Sequence, residues 1–259
     1  MRYFTATHEK LEWPLPAFME AVSTVPAGDG VTDLSVSYPE LAGRGRSLGE
    51  YATLFGVRRV LQESWATDGG ATDGEMVGIS HYRRFAVTRP TGTPTFIFGA
   101  VGPDEFAQLP DDLFLPAAGA VAVPPLIDFG LSILAVYARN HPVRDLLHFM
   151  GLATDLGVVD DKEAAVFLNG RHMVPTPTVS VVPSGWLATV LEDLERVVDA
   201  FESTVAQPRE GYQSRAVGFC CERVHALLLA RLLLTWEPEQ VIMNRSLIVS
   251  RDGEYQVGD

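Results

Sequence analysis

Apolar residues recur along the chain with a helical period in some stretches and in short uninterrupted runs in others. The strongest helical pattern covers residues 186–201, where an apolar stripe from Trp186 to Phe201 lies opposite a row of charged side chains. Further helical patterns cover residues 17–25, 48–63, 132–156 (broken at 140–142) and 217–235. Short apolar runs predict strands at residues 2–6, 76–80, 95–98, 119–123 and 178–182.

The interleaving of these strands and helices favours an α/β sandwich. No shift in composition divides the chain, so we expect residues 1–259 to form a single domain. A hydrophobic fraction of 47% and a charged fraction of 20% are typical of a globular protein. Every apolar run is shorter than the roughly 20 residues that cross a bilayer, which predicts no transmembrane segment.

The charge balance of the chain disfavours two classes of binding partner. The chain has 20 basic and 33 acidic side chains, which give a formal net charge of −13. Nucleic acids and anionic membranes are therefore poor candidates, because phosphate contacts need clustered lysine and arginine. Any anionic ligand needs a local basic pocket. The cysteines Cys220 and Cys221 are adjacent, which favours two core residues in a reducing cytoplasm over a disulfide or a zinc site.

The sharpest chemical signal follows the predicted strand at residues 76–80. There the chain continues as His81, Tyr82, Arg83 and Arg84. Ligands of open α/β sheets bind outside the carboxyl ends of strands, and guanidinium groups match phosphate oxygens bidentately. His81, Arg83 and Arg84 are thus candidates to bind an anion. The alternative is an edge strand whose arginines pair with surface carboxylates.

Two spaced pairs form a second group of candidates. Arg215 and Glu222 are seven residues apart, so they share a face if the segment is helical. Glu222 is then either a general base or the partner of an ordinary ion pair. His141 and Asp145 are four residues apart, a spacing at which a carboxylate can orient an imidazole on a helix, although a capping role fits equally well.

Other signals are weaker. Thr7, His8 and Lys10 follow the first predicted strand, where nucleotide sites of α/β proteins often begin. The acidic pairs Asp111-Asp112 and Asp160-Asp161 are interpreted as solvated turns or helix starts. The chain contains no Gly-x-x-x-x-Gly-Lys-Ser/Thr loop, no Gly-x-Gly-x-x-Gly after a strand and no Gly-x-Ser-x-Gly elbow.

Taken in chain order, these segments resemble a bacterial glycosyltransferase family that was first catalogued as a domain of unknown function and is found in capsular-polysaccharide and O-antigen gene clusters. The family pattern includes Val-Gly-Leu-x-His-Tyr-Arg-Arg-Tyr after a strand and Arg-x-x-Gly-Phe-x-x-Glu-Arg near the end. The matching segments span nearly the whole chain and are residues 3–10, 48–55, 77–85, 141–145 and 215–223.

The resemblance implies a GT-A-like, Rossmann-like sandwich with a mostly parallel central sheet, and a nucleotide-sugar donor that lies across its carboxyl edge. The residues it implies for donor binding are Thr7, His8, Lys10, His81, Arg83, Arg84 and Arg215. The candidate bases for the acceptor hydroxyl are Glu222, Asp145 and His141.

Enzymes of this fold usually carry an Asp-x-Asp metal site at the end of a central strand. Here the strand that ends at Ser80 delivers His81 and two arginines instead. We therefore expect guanidinium and imidazolium charge to replace Mg²⁺ or Mn²⁺ at the departing diphosphate, and transfer without a metal. Asp111-Asp112 and Asp160-Asp161 are the fallback metal ligands.

The chain departs from the family pattern in two places. Glu9 is inserted into the Thr-His-Lys segment, and residues 182–186 replace an Asn-Met-Phe segment, which implies a specialised acceptor. The function expected is a cytoplasmic glycosyltransferase that moves a sugar to a hydroxyl of a glycan or small-molecule glycoside. The alternatives are a non-catalytic nucleotide-sugar binding or partner protein on the same fold, and a phosphoester hydrolase that uses the His/Arg cluster.

Overall fold

A computed structural model of the chain describes residues 1–68, 74–204 and 210–250. The strands are β1 (Arg2–Ala6), β2 (Met19–Ser23), β3 (Thr32–Asp33), β4 (Met76–His81), β5 (Arg84–Phe85), β6 (Thr93–Pro94), β7 (Phe98–Val101), β8 (Val121–Val123), β9 (Ile127–Asp128), β10 (His172–Met173), β11 (Ser180–Pro183), β12 (Val241–Met243) and β13 (Ser246–Val249). The α-helices are α1 (Leu34–Ser37), α2 (Gly45–Leu48), α3 (Tyr51–Asp68), α4 (Pro103–Phe106), α5 (Ile133–Asn140), α6 (Val143–Asp155), α7 (Asp161–Asn169), α8 (Ser184–Thr204) and α9 (Ala216–Leu233). Short 3₁₀ helices cover Pro39–Leu41, Asp111–Leu113, Gly211–Arg215 and Pro238–Gln240.

A large mixed sheet organises the fold. Its main part has the order β3-β2-β1-β4-β11-β8-β12, and β5, β13, β7 and β6 extend it from the end of β4. The central strand β1 is parallel to both neighbours, so that Tyr3 is aligned with Met19 on one side and with Gly78 on the other. Most of the paired residues lie in parallel ladders, while β11 runs antiparallel between β4 and β8. The predicted α/β class with a mostly parallel sheet is confirmed.

Both faces of the sheet are covered, which explains why β1 and β4 are continuous apolar runs rather than alternating ones. Helices α3, α6, α8 and α9 pack together in the core of one face. A second cluster on the other face includes Tyr3, Phe85 and Phe114. A Cβ atom at Gly78 of β4 would overlap the Tyr3 ring, so this packing requires the glycine.

Most predicted elements are present in the structure. The helical stretch at 132–156 breaks where predicted, because α5 ends at Asn140 and Pro142 precedes α6. Cys220 and Cys221 are buried and free, as expected of core residues. Within the described ranges, no helix is both long and apolar enough to span a membrane.

The prediction of a helix at residues 17–25 is wrong. This segment contains β2, whose backbone pairs with β1 over its whole length. Five residues are too few for a helical period to be diagnostic, and pairing with a buried neighbour decided the conformation. Strands β12 and β13 were not predicted either, and both form by pairing with strands more than 100 residues earlier.

Candidate functional site

A cavity of about 550 Å³ opens at the carboxyl edge of the sheet. The ends of β1, β2 and β4 form one wall, and the segment from Gly43 to Thr53 together with Ser214 and Arg215 forms the other. The lining residues are Ala6, Thr7, His8, Ser23, Thr24, Val25, Gly43, Gly45, Arg46, Gly49, Glu50, Thr53, His81, Ser214 and Arg215. This is the edge at which α/β proteins bind ligands.

Four of the predicted donor-site residues, Thr7, His8, His81 and Arg215, line this cavity. The Thr7 hydroxyl is engaged locally, because it donates to the Glu9 carbonyl at 2.6 Å and accepts from the Glu9 amide at 3.2 Å. Thr7 therefore shapes the turn that places His8, and the inserted Glu9 supplies the backbone groups of that turn.

Lys10 lies outside the cavity wall. It is exposed, and its aliphatic chain runs beside Gly28, where a Cβ atom would lie 3.6 Å from the Lys10 Cγ. Direct contact between Lys10 and a ligand stays a prediction.

Two guanidinium groups line the cavity without forming an ion pair. Among the residues that the structure describes, no carboxylate lies within 4 Å of the cationic groups of Arg46 or Arg215. Elsewhere, by contrast, Arg58 and Arg59 donate to Glu195 at 2.7 and 2.9 Å. The cavity wall thus carries two guanidinium groups and one carboxylate, that of Glu50. In a protein with a net charge of −13, this local excess of cationic groups favours an anionic ligand.

Close backbone packing fixes the position of Arg215. A Cβ atom at Gly218 would lie 2.5 Å from the Leu48 carbonyl oxygen, so α9 approaches α2 as closely as only glycine permits. Gly49 has φ +60°, and a Cβ atom there would lie 3.0 Å from Nη2 of Arg215. Two glycines of the resemblance segments thus let the guanidinium group reach the cavity.

Arg46 is a cavity residue that sequence reasoning missed. Arg46 belongs to α2. Arg44, directly before this helix, forms ion pairs with α8: its Nη2 lies 3.0 Å from Asp199 and 2.9 Å from Glu202. The buried Glu195 lies 3.6 Å from Nη1 of the same arginine. Only the three-dimensional packing of α2 against α9 brings Arg46 to the cavity, and no local motif marks it.

The surroundings of His81 favour the neutral ring. Burial, followed by the charges of Arg84, His8, Arg83 and Arg215, lowers the pKa of His81 to about 3. Among the residues that the structure describes, the buried Nδ1 of this ring has no hydrogen-bond partner. This environment does not favour an imidazolium ion, and a positive charge on His81 at the departing diphosphate stays a prediction.

Arg83 and Arg84 lie beyond His81 and are not part of the described cavity wall. The Cζ atom of Arg83 is 5.5 Å from the Tyr82 ring centroid, and that of Arg84 is 5.4 Å from the Phe98 ring centroid. Their positive charges contribute to the lowered pKa of His81 and so act on the cavity without direct contact. Direct contact with a ligand stays a prediction for both.

Glu50 contributes the single carboxylate of the described cavity wall, and its role was not predicted. Its Oε1 accepts a hydrogen bond of 2.5 Å from the Thr178 hydroxyl, and its Oε2 lies 3.8 Å from Nε2 of His81. One oxygen is thus fixed, and the other faces the neutral imidazole. The sequence signal that could have identified Glu50 is its position directly before α3, within the segment 48–55 on which the resemblance rests.

The predicted bases occupy three different positions. Glu222 lies in α9 and lines a small cleft of about 40 Å³ that shares Gly49, Glu50 and Arg215 with the main cavity. Arg215 lies in the 3₁₀ helix just before α9, so the two residues border one cleft, and a catalytic role for Glu222 stays a prediction. One oxygen of Glu222 accepts from Arg223 at 2.9 Å. Asp145 is buried in the first turn of α6 and lines neither space.

The predicted pairing of His141 with Asp145 is not what orients the imidazole. Nδ1 of His141 lies 3.3 Å from Oε1 of Gln213, so the group at this ring nitrogen is an amide. His141 caps the end of α5 in an extended conformation, and α6 begins two residues later. A spacing of four residues brings side chains together only within one continuous helix.

The acidic pairs have structural roles. Asp112 forms an ion pair with Arg89 at 2.9 Å, and Asp160 caps α7 in a reciprocal capping box with Glu163. The cavity itself offers one carboxylate among cationic groups, whereas Mg²⁺ and Mn²⁺ need several oxygen ligands. The described cavity residues therefore do not fit an Asp-x-Asp metal site.

Comparison with known proteins identifies a solved structure with a similar fold. No protein-family profile and no curated protein matches the sequence. Among solved structures, the apo structure of the bifunctional glycosyltransferase WbbM matches with a TM-score of 0.73 and 14% sequence identity. The match covers 96% of this chain and 45% of the WbbM chain, so this chain spans less than half the length of that protein. The chain therefore has an α/β fold that is also found in a glycosyltransferase structure.

Proposed function

We propose that this chain is a glycosyltransferase that binds a nucleotide-sugar donor in the cavity and transfers the sugar to a hydroxyl group of an acceptor. The observation that carries the proposal is the pair of guanidinium groups of Arg46 and Arg215 in a cavity at the ends of β1, β2 and β4. Neither group has an ion-pair partner within 4 Å among the described residues. The similarity of the fold to WbbM agrees with sugar transfer as the reaction class.

The cationic groups suit a diphosphate. Guanidinium groups bind phosphate oxygens with paired, charge-assisted hydrogen bonds. Helix α3 begins directly after Gly49 and Glu50, and α9 directly after Ser214 and Arg215, so the positive ends of both helices adjoin the cavity wall. Fixed positive charge stabilises the negative charge that develops on the diphosphate as the sugar leaves.

We assign to Glu50 the role of proton acceptor. In the reaction the bond between the sugar carbon and the diphosphate oxygen breaks, and the acceptor oxygen forms a bond to the same carbon. The proton of the acceptor hydroxyl passes to Oε2 of Glu50, and the nucleoside diphosphate leaves with the bonding electrons. Thr178 holds the other oxygen of the carboxylate in place.

Glu222 is the second candidate for this role, because it lines the cleft that joins the cavity. Its pairing with Arg223 favours an orienting function. The alternative of a non-catalytic protein draws on the departure from the family pattern at residues 182–186. This segment forms the end of β11 and the start of α8 and is not part of the described cavity wall. It gives no structural reason to expect a lost donor site.

Titration calorimetry with a panel of nucleoside diphosphates, each with Mn²⁺ and with EDTA, tests this function. We expect one nucleotide class to bind with one molecule per chain and with an affinity that EDTA leaves unchanged. Incubation with the matching nucleotide-sugars should then release nucleoside diphosphate when a hydroxyl acceptor is present. Failure of every nucleoside diphosphate to bind would overturn the proposal.

A further inference from the structure

Three aromatic rings meet beside the start of α9, outside the cavity. The centroids of His141 and Phe219 are 4.1 Å apart, and those of Tyr212 and Phe219 are 5.1 Å apart. Tyr212 is stacked on His141 with an interplanar angle of 23°, yet 64% of Tyr212 is exposed to solvent. We call these three residues the ring platform. An exposed, stacked aromatic surface of this kind is a common feature of binding sites.

The ring platform is held in place by polar contacts at its back. The Gln213 amide lies 3.3 Å from Nδ1 of His141 and also donates a hydrogen bond of 2.8 Å to the Asn140 carbonyl. These bonds tie the segment Gly211–Arg215 to the end of α5. A platform that is already ordered loses little conformational entropy when a ligand binds.

The ring platform is continuous with the proposed donor cavity. Phe219 and Glu222 line the cleft of about 40 Å³, whose other walls include Glu50 and Arg215 of the cavity. The Arg215 guanidinium carbon lies 5.9 Å from the Phe219 ring centroid. A molecule seated on the platform is therefore adjacent to the carboxylates that border the cavity.

We propose that the ring platform is the acceptor subsite and that the acceptor is itself a sugar ring. The C–H face of a pyranose is apolar and packs on the negative face of an aromatic ring, while its hydroxyl rim needs hydrogen-bonding partners at the edge. The platform supplies the exposed ring of Tyr212 beside the half-buried ring of Phe219. Glu222 supplies an acceptor for a hydroxyl at its inner edge. This inference rests on the proposed function.

The test is saturation-transfer NMR with a panel of methyl pyranosides, recorded in the presence of a nucleoside diphosphate that binds the wild-type chain. We expect at least one methyl pyranoside to bind through its C–H protons. Tyr212→Ala should weaken that binding about tenfold, and Tyr212→Phe should preserve it. Phe96→Ala is the matched control, because Phe96 is 71% exposed and lies elsewhere on the surface.

The outcomes separate this inference from the proposed function. If the nucleoside diphosphate binds normally but no pyranoside binds, or if Tyr212→Ala leaves pyranoside binding unchanged, the acceptor subsite is wrong and the donor site stands. If Tyr212→Ala weakens the nucleotide rather than the pyranoside, the platform stacks a nucleobase, which also overturns the inference. Absence of any nucleotide binding would instead overturn the proposed function.

Discussion

The Arg215 guanidinium group passes directly over Gly49, so that a Cβ atom at position 49 would lie 3.0 Å from Nη2. One residue comes from the end of α2 and the other from the start of α9, more than 160 positions later in the sequence. Both residues line the cavity and also the small cleft that Glu222 lines. The geometry of the cationic site thus depends on a glycine that carries no chemistry of its own.

Replacement of Gly49 by alanine should therefore impair both folding and binding. The backbone at φ +60° and ψ −132° is strained for any residue with a Cβ atom, at a cost of about 1–3 kcal/mol, and Arg215 must move. We expect a lower melting temperature and weaker nucleoside diphosphate binding. Gly151→Ala in α6 is the control, because its Cβ meets open space and should stabilise the helix by about 0.5–1 kcal/mol. Equal stability of Gly49→Ala and wild type would contradict this account.

Glu50→Gln separates binding from catalysis. The amide keeps a partner for the Thr178 hydroxyl but cannot accept the proton, so transfer should fall about 10²–10⁴-fold. Binding of the nucleoside diphosphate should persist or tighten, because the substitution removes a negative charge from a site that binds an anion. Steady-state rates and calorimetry measure the two effects. If Glu222→Gln abolishes transfer while Glu50→Gln remains active, the proton acceptor is Glu222.

The buried carboxylate of Glu195 should be important for stability. It accepts hydrogen bonds from Arg58 and Arg59, and the removal of its charge leaves these guanidinium groups without their buried counter-charge. We expect Glu195→Gln to lower the free energy of unfolding by about 3 kcal/mol. The more exposed Glu192, 3.9 Å from Arg58, serves as control, and Glu192→Gln should cost less than about 1 kcal/mol. Urea denaturation of both variants decides between these values.

The buried imidazole of His225 predicts a pH-dependent stability. Burial lowers the pKa of His225 to about 3, whereas the unfolded chain binds that proton near pH 6.5. Between these values the unfolded state holds more protons, so the free energy of unfolding falls as the pH falls, by about 1.4 kcal/mol per pH unit from this residue. His81 contributes in the same direction, because its pKa is also about 3.

His225→Phe should therefore flatten the dependence of unfolding free energy on pH between about pH 4 and pH 6, where the histidine contribution is largest. The informative readout is the slope, since the variant also removes the 3.2 Å contact between Nδ1 and the Tyr51 hydroxyl. His148→Phe at the exposed surface should keep the wild-type slope. An unchanged slope in His225→Phe would show that this ring does not titrate as described.

The sequence pattern was sufficient to predict β1, β4, α8 and α9, because each carries a long apolar run or a clear helical stripe. It also placed Thr7, His8 and His81 after strands that end at one edge of the sheet, and all three line the cavity. Arg215 follows no strand and was a candidate through its spacing to Glu222 and through the resemblance. Part of the cavity wall was therefore predictable from the sequence, whereas the role of these residues in donor binding stays a prediction.

The rest depends on tertiary packing. Arg46 and Glu50 flank the turn at Gly49, and only the packing of α2 against α9 turns them into cavity residues. The four-residue spacing of His141 and Asp145 suggested a contact within one helix. The two residues are not in one helix, because α5 ends at Asn140 and Pro142 caps the start of α6. Similarly, the five residues of β2 carry no decisive period, and their conformation comes from β1.

The most direct test of the cationic donor site is calorimetry of Arg215→Ala with the nucleoside diphosphate that binds the wild-type chain. Loss of a charge-assisted contact costs about 1.5–3 kcal/mol, so we expect the dissociation constant to rise about tenfold to a hundredfold. Arg245→Ala is the control, because Arg245 is exposed and is not part of the described cavity wall. Equal affinity of Arg215→Ala and the wild-type chain would contradict the assignment of this cavity as the diphosphate site.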